Sequence, residues 1–149
     1  MNLHIKTFEQ LSSRELYEIL KARCAVFVVE QTCPYQDLDG GDYDSLHVYL
    51  EENGEILAYL RCYMQDDETA RIGRVLTLAR GQGYGRPLMD AGIAAVKEHY
   101  RSAKSIFIEA QCYAIGYYEK FGFAVCGEEF LEDGIPHVPM TLDLSAVSC

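Results

Sequence analysis

Leu16, Ile19, Leu20, Cys24 and Phe27 recur at the spacing that gathers apolar side chains on one stripe of a helix. Ser12 stands ahead of them with Glu15 three positions later, the reciprocal capping pattern that opens a helix. A first helix is therefore predicted over Ser13 to Val26. The period then stops. Val28 to Asp44 holds Pro34, Gly40 and Gly41 among Asp37, Asp39, Asp42 and Asp44, and reads as a solvated acidic loop.

Apolar runs over Ser45 to Glu51 and Glu55 to Met64 flank Asn53-Gly54, a dipeptide that supplies the positive φ angles of a hairpin turn. A third extended run, Ala70 to Leu78, completes a meander. Arg80-Gly81-Gln82-Gly83-Tyr84-Gly85-Arg86 follows, and Leu88, Met89, Gly92, Ile93, Val96 and Tyr100 then mark an amphipathic helix with Pro87 in its first turn. Ile106 to Glu109 is a short apolar strand, and Tyr113 to Phe121 a short helix closed by Gly122. Phe123 to Leu131 and His137 to Leu144 form a last strand pair joined by Glu132 to Pro136. This order predicts an α/β (α+β) fold, a mixed and mostly antiparallel central sheet with helices on both faces. No repeat or second domain interrupts it, so residues 1–149 are expected to form one domain.

Composition narrows the function classes. The formal charge of −10 disfavours nucleic acid and anionic membrane, which reward clustered Lys and Arg, and favours a cationic substrate. Met1 to Gln10 is too polar for a signal peptide, and no window reaches the ~18 apolar residues of a membrane span, so a cytoplasmic protein is expected. The six cysteines show no CxxC pairing and no HxxxH partner, which argues for free thiols and against a metal.

A glycine turn between a strand and a helix turns successive backbone N–H groups towards a ligand at the positive end of the helix dipole, an arrangement that binds phosphate oxygens. Gly83 and Gly85 allow close approach. The chain has no GK[ST] segment, which removes the P-loop. The spacing of Gly81, Gly83 and Gly85 misses the dinucleotide GxGxxG pattern, and the turn follows a meander instead of opening a βαβ unit.

Arg80-Gly81-Gln82-Gly83-Tyr84-Gly85 matches the R/Q-x-x-G-x-G/A pyrophosphate signature of the GNAT N-acetyltransferases, and Tyr117-Tyr118-Glu119-Lys120-Phe121-Gly122-Phe123 resembles that family's Y-E-K-x-G-F segment. Arg23 to Gln31, Cys33 to Asp37 and Glu132 to His137 further resemble its ElaA-like branch, a likeness running from about Leu16 to Leu144. The resemblance implies acetyl-CoA as cosubstrate, with Val75, Leu76 and Thr77 pairing their backbone with pantetheine and Arg80, Gly81, Gln82, Gly83, Tyr84, Gly85 and Arg86 holding the pyrophosphate. Gln111 stands where many members carry an asparagine that touches pantetheine. Dimers are common in this fold, so a homodimer is one expectation.

A primary amine is about 99.9% protonated at pH 7, and exposing its lone pair costs about 4 kcal/mol, so transfer to it needs a base or a water path. Tyr118 is the expected acid for the leaving thiolate. Tyr113, Tyr117 and Phe121 read as a core stripe, whereas Tyr118 lies over Ala114 on another face. His137 is the expected base, resembling a histidine that follows a similar turn in glyphosate-acetylating GNAT enzymes; Glu30, Glu109 and a water chain are its rivals. His47 and Arg61 fall on the polar face of the hairpin, where they either line the amine pocket or meet solvent. The reading is direct acetyl transfer to a small, N-terminal or lysine amine; a non-catalytic acyl-CoA sensor on the same fold is the alternative.

Overall fold

A computed structural model describes residues 1–78 and 81–145. Eight strands form one sheet among the described residues: β1 (Asn2–Thr7), β2 (Leu46–Glu52), β3 (Glu55–Met64), β4 (Thr69–Thr77), β5 (Ser105–Gln111), β6 (Ala124–Val125), β7 (Phe130–Glu132) and β8 (Ile135–Asp143). The strand order is β1-β2-β3-β4-β5-β8-β6, with β7 also on β8. Only β4 and β5 run parallel, so the sheet is mixed and mostly antiparallel as the element order predicts.

Strand alternation sends Val48, Leu50, Ala58 and Leu60 to one face and Tyr49 and Tyr59 to the other. Helix α2 (Gly85–His99) and the short α3 (Ile115–Glu119) cover the first face; α1 (Ser13–Arg23) covers the second through Ile19, Ala22 and the following Val26. Gly92 lets α2 lie directly on β3, since a Cβ there would come within 2.7 Å of the Leu60 side chain. No helix among the described residues is long and apolar enough to cross a membrane.

Ser12 and Glu15 form the expected capping box at the start of α1. Its C-terminal end departs from expectation: the backbone continues in π-helical turns through Cys24–Glu30, carrying the chain past Val26. Such wide turns re-aim side chains and recur near functional sites. Three further departures have local causes. Asn2–Thr7, whose polar residues hide an alternating pattern, pairs with β2 as an edge strand. The run expected from Phe123 to Leu131 is broken into β6 and β7, because residues 126–129 span the stretch opposite Val138 and Pro139, and Pro139 has no N–H to offer a ladder. Asp133 and Gly134 both take positive φ, which makes the β7–β8 connection a tight two-residue turn.

Candidate active site

The site begins with a defect in the sheet. Tyr59 and Arg61 of β3 pair with Leu76 and Gly73 of β4, so β4 accommodates one extra residue between these pairs. Arg74 sits in this bulge at φ 53°, a left-handed conformation costing a side-chain-bearing residue about 1–3 kcal/mol. Parallel pairing of β4 with β5 covers only Thr69–Arg71 and Ser105–Phe107. Beyond that point the two strands part, leaving a wedge with unpaired main-chain edges on both sides.

The wedge opens into a cleft of about 1250 Å³. Val75, Leu76 and Thr77 line it from β4, and Gln111 from β5. Gly81, Gly83, Tyr84, Gly85 and Arg86 line its far end. Gln82 is exposed and is not among the lining residues, and Arg80 lies outside the described residues.

Gly81 and Gly83 take φ of 79° and 78°, which is why the turn is built from glycine. The turn delivers the chain into α2, whose first intrahelical bond runs from the Leu88 N–H to the Tyr84 carbonyl. The N–H groups of Gly85 and Arg86 therefore have no acceptor within the helix, and Pro87 has none to offer. No acidic residue lies in this first turn, and Arg86, set over the Phe121 ring, adds a positive charge. The start of α2 thus gathers positive potential in a chain whose formal charge is −10.

Gly85 has a second task. Tyr117 donates to the Gly85 carbonyl at 2.8 Å, and its ring edge lies 3.0 Å from where a Cβ on Gly85 would stand. A Cβ at Gly85 would force the Tyr117 ring back by a few tenths of an ångström and strain its hydrogen bond to the turn.

Tyr118 lines the cleft and is only 9% exposed. Its ring packs edge-on against Tyr117 and Phe123, while its hydroxyl has no hydrogen-bond partner among the described residues. Burial holds the phenol well above its ordinary range, so it keeps its proton at every physiological pH. Tyr113 is 79% exposed and so leaves the expected core stripe, whereas Tyr117 and Phe121 pack against the core as read; Tyr118 is the buried tyrosine of the five-residue α3.

His137 also lines the cleft, across the strand ladder from Gln111. Its Nδ1 lies 2.7 Å from the Ile135 carbonyl oxygen, an acceptor only, so Nδ1 carries the proton and donates. In the neutral ring Nε2 is then the basic nitrogen, with the Glu132 carboxylate 3.8 Å away and the Phe130 ring stacked alongside. Of its rivals, Glu109 is ion-paired with Arg71, and Glu30 is exposed. Gln111 exchanges amide hydrogen bonds of 3.3 and 3.4 Å with Gln31, tying β5 to the end of the π-helical segment. Cys112 meets the Glu129 carboxylate, which raises its thiol pKa and leaves it a poor nucleophile.

The acidic loop is not a solvated face. Arg23, fully buried at the end of α1, donates to Asp37 at 3.0 Å and to Asp42 at 2.6 Å. Arg61 binds Asp39 and Asp42, and Arg74 binds Asp37. Three arginines from a helix, a strand and a bulge thus neutralise three aspartates of one loop. Hydrogen bonding to Arg61 holds Asp39 far below the usual carboxylate range. Arg61 lines the cleft as anticipated, but it is buried and paired instead of solvated. His47 is buried beneath it between Tyr59 and the Asp42 carbonyl, away from the cleft, and burial lowers its pKa so that it stays neutral. The long-range partners of Asp37, Asp39 and Asp42 carry no signal in local sequence pattern.

The acetyltransferase (GNAT) domain family matches residues 9–144. Protein ElaA of Escherichia coli is 40% identical over 91% of this chain and 92% of its own. Its crystal structure superposes with a TM-score of 0.89 at 37% identity, covering 96% of this chain and 100% of that one. An acyl-CoA N-acyltransferase from Pseudomonas aeruginosa superposes equally well, with a TM-score of 0.89 at 35% identity, covering 95% of this chain and 99% of that one. A UPF0039 protein of Schizosaccharomyces pombe is 42% identical over 93% of this chain and 95% of its own.

Proposed function

Because this chain belongs to the GNAT acetyltransferase family, in its ElaA-like branch, we propose that it moves an acetyl group from acetyl-CoA to a primary amine by direct attack in a ternary complex. The family uses an acyl-CoA cosubstrate and an acceptor, and acyl transfer is its general chemistry. The observation that carries the finer reading is the wedge between β4 and β5, which leads from the start of α2, whose first N–H groups lack an acceptor within the helix, to the hydroxyl of Tyr118, unpartnered among the described residues.

In this reading the N–H groups of Gly83 to Arg86 take the diphosphate, and the side chain of Arg86, together with that of Arg80, adds charge. The edge of β4 at Val75, Leu76 and Thr77 pairs with the pantetheine amides in place of the missing strand partner, with Gln111 opposite. The acyl-CoA supplies an activated thioester carbonyl. His137 Nε2 accepts a proton from the ammonium, directly or through water, and Glu132 steadies the resulting imidazolium. The freed amine forms a bond to the carbonyl carbon, the C–S bond breaks, Tyr118 gives its proton to the leaving sulfur, and the proton shed by the newly acylated nitrogen restores the phenol, directly or through water.

A panel of primary amines scored by thiol release from acetyl-CoA tests the proposal. Amine-dependent release with an N-acetylated product is expected; acetyl-CoA binding with no release above hydrolysis would replace the enzyme by an acyl-CoA sensor. His137→Ala is expected to lose the acidic limb of the pH–rate profile along with most of its turnover near pH 7, and a variant that keeps the wild-type limb removes His137 as the base.

A further inference from the structure

Arg74 presents a contradiction that its surroundings resolve. The bulge demands one residue at positive φ, and Gly73, which would adopt that angle without strain, stands immediately before it. The chain places an arginine there instead. Its guanidinium donates from Nε to Asp37 Oδ1 at 2.9 Å and from Nη2 to the Asp37 carbonyl at 3.1 Å, reaches Asp39 at 3.4 Å, and lies 5.6 Å from the centre of the Tyr35 ring. Asp37 is anchored from behind by the fully buried Arg23 and receives the Tyr35 hydroxyl at 2.6 Å. Tyr35, Gln36 and Asp39, which follow or precede this anchor in the loop, line the cleft, as do Arg74 itself and Val75 beside it, the residue that takes pantetheine in the reading above.

We propose that Arg74 is a positioning residue: its side chain clips the loop wall of the cleft to the β4 bulge, so that the acceptor side of the cleft is shaped by the same residue that bends the cofactor-facing strand. Its effect on catalysis rests on the acyl-transfer reading above; the clip itself does not.

Three substitutions separate the roles. Arg74→Gly keeps the bend without strain and removes the clip. Arg74→Ala removes the clip and keeps the strain, so it melts below Arg74→Gly although both lose the same contacts. Arg74→Lys retains a charge able to reach Asp37 and restores part of the wild-type behaviour. In ligand-free Arg74→Gly, amide exchange across residues 35–44 is expected to quicken at least tenfold while β3 and β2 amides keep wild-type protection. With an amine accepted by the wild type, its KM rises at least tenfold and that for acetyl-CoA stays within about threefold. Unchanged exchange in the loop overturns the proposal, as does a parallel rise of both KM values, which would assign the effect to the bend. A wild type that binds no acetyl-CoA would sink the acyl-transfer reading and still leave the exchange measurement to decide the clip.

Discussion

Tyr118→Phe is expected to lower turnover at least tenfold while leaving acetyl-CoA binding and the melting temperature close to wild type. The substitution is unusually clean. The ring keeps its packing against Tyr117 and Phe123, and the hydroxyl it loses has no partner among the described residues to leave stranded. A change confined to one O–H group therefore reports on what that group does during reaction. Tenfold corresponds to about 1.4 kcal/mol in the barrier, the low end of what a positioned acid supplies. Thiol release under saturating acetyl-CoA, with the dissociation constant measured separately, checks it, and unchanged turnover would remove Tyr118 from the mechanism.

Arg23→Ala is the substitution expected to damage stability most. Removing this guanidinium leaves Asp37 and Asp42, both buried, with one arginine each where they had two, and opens a space beside Tyr59. Breaking a buried ion pair from one side costs about 3–5 kcal/mol, because the partner charge is left poorly compensated. In a domain of this size each kcal/mol lowers Tm by roughly 2–4 °C, so a fall on the order of 10 °C should appear in a thermal melt. A shift within ordinary surface-mutation scatter would mean that the loop is held by other contacts.

These two residues also mark the boundary of what the chain's pattern discloses. Tyr118 was legible because its neighbours form a local motif, and Gly81, Gly83 and Gly85 because a turn into a helix restricts residue type at fixed spacing. The mixed, mostly antiparallel character of the sheet followed from the succession of helical and extended runs. The role of Arg23 was not legible: it falls on the apolar stripe of α1, four residues after Ile19, but its carboxylate partners lie 14 and 19 positions away in a segment without period. The bulge at Arg74 was equally hidden, since an arginine at positive φ opposes local preference and its main partner, Asp37, lies 37 positions away. The helical periodicity of Tyr113, Tyr117 and Phe121 held for the last two and failed at Tyr113, which lies in the turn Cys112–Ala114 ahead of α3.

If the wedge between β4 and β5 holds an acyl-CoA with its thioester at Tyr118, a crystal structure with acetyl-CoA bound will show it there. The diphosphate is expected within hydrogen-bond distance of the Gly83 to Arg86 N–H groups, pantetheine alongside Val75 to Thr77, and the sulfur within reach of the Tyr118 hydroxyl. Acetyl-CoA seated outside the wedge, or its sulfur pointing away from Tyr118, would contradict it.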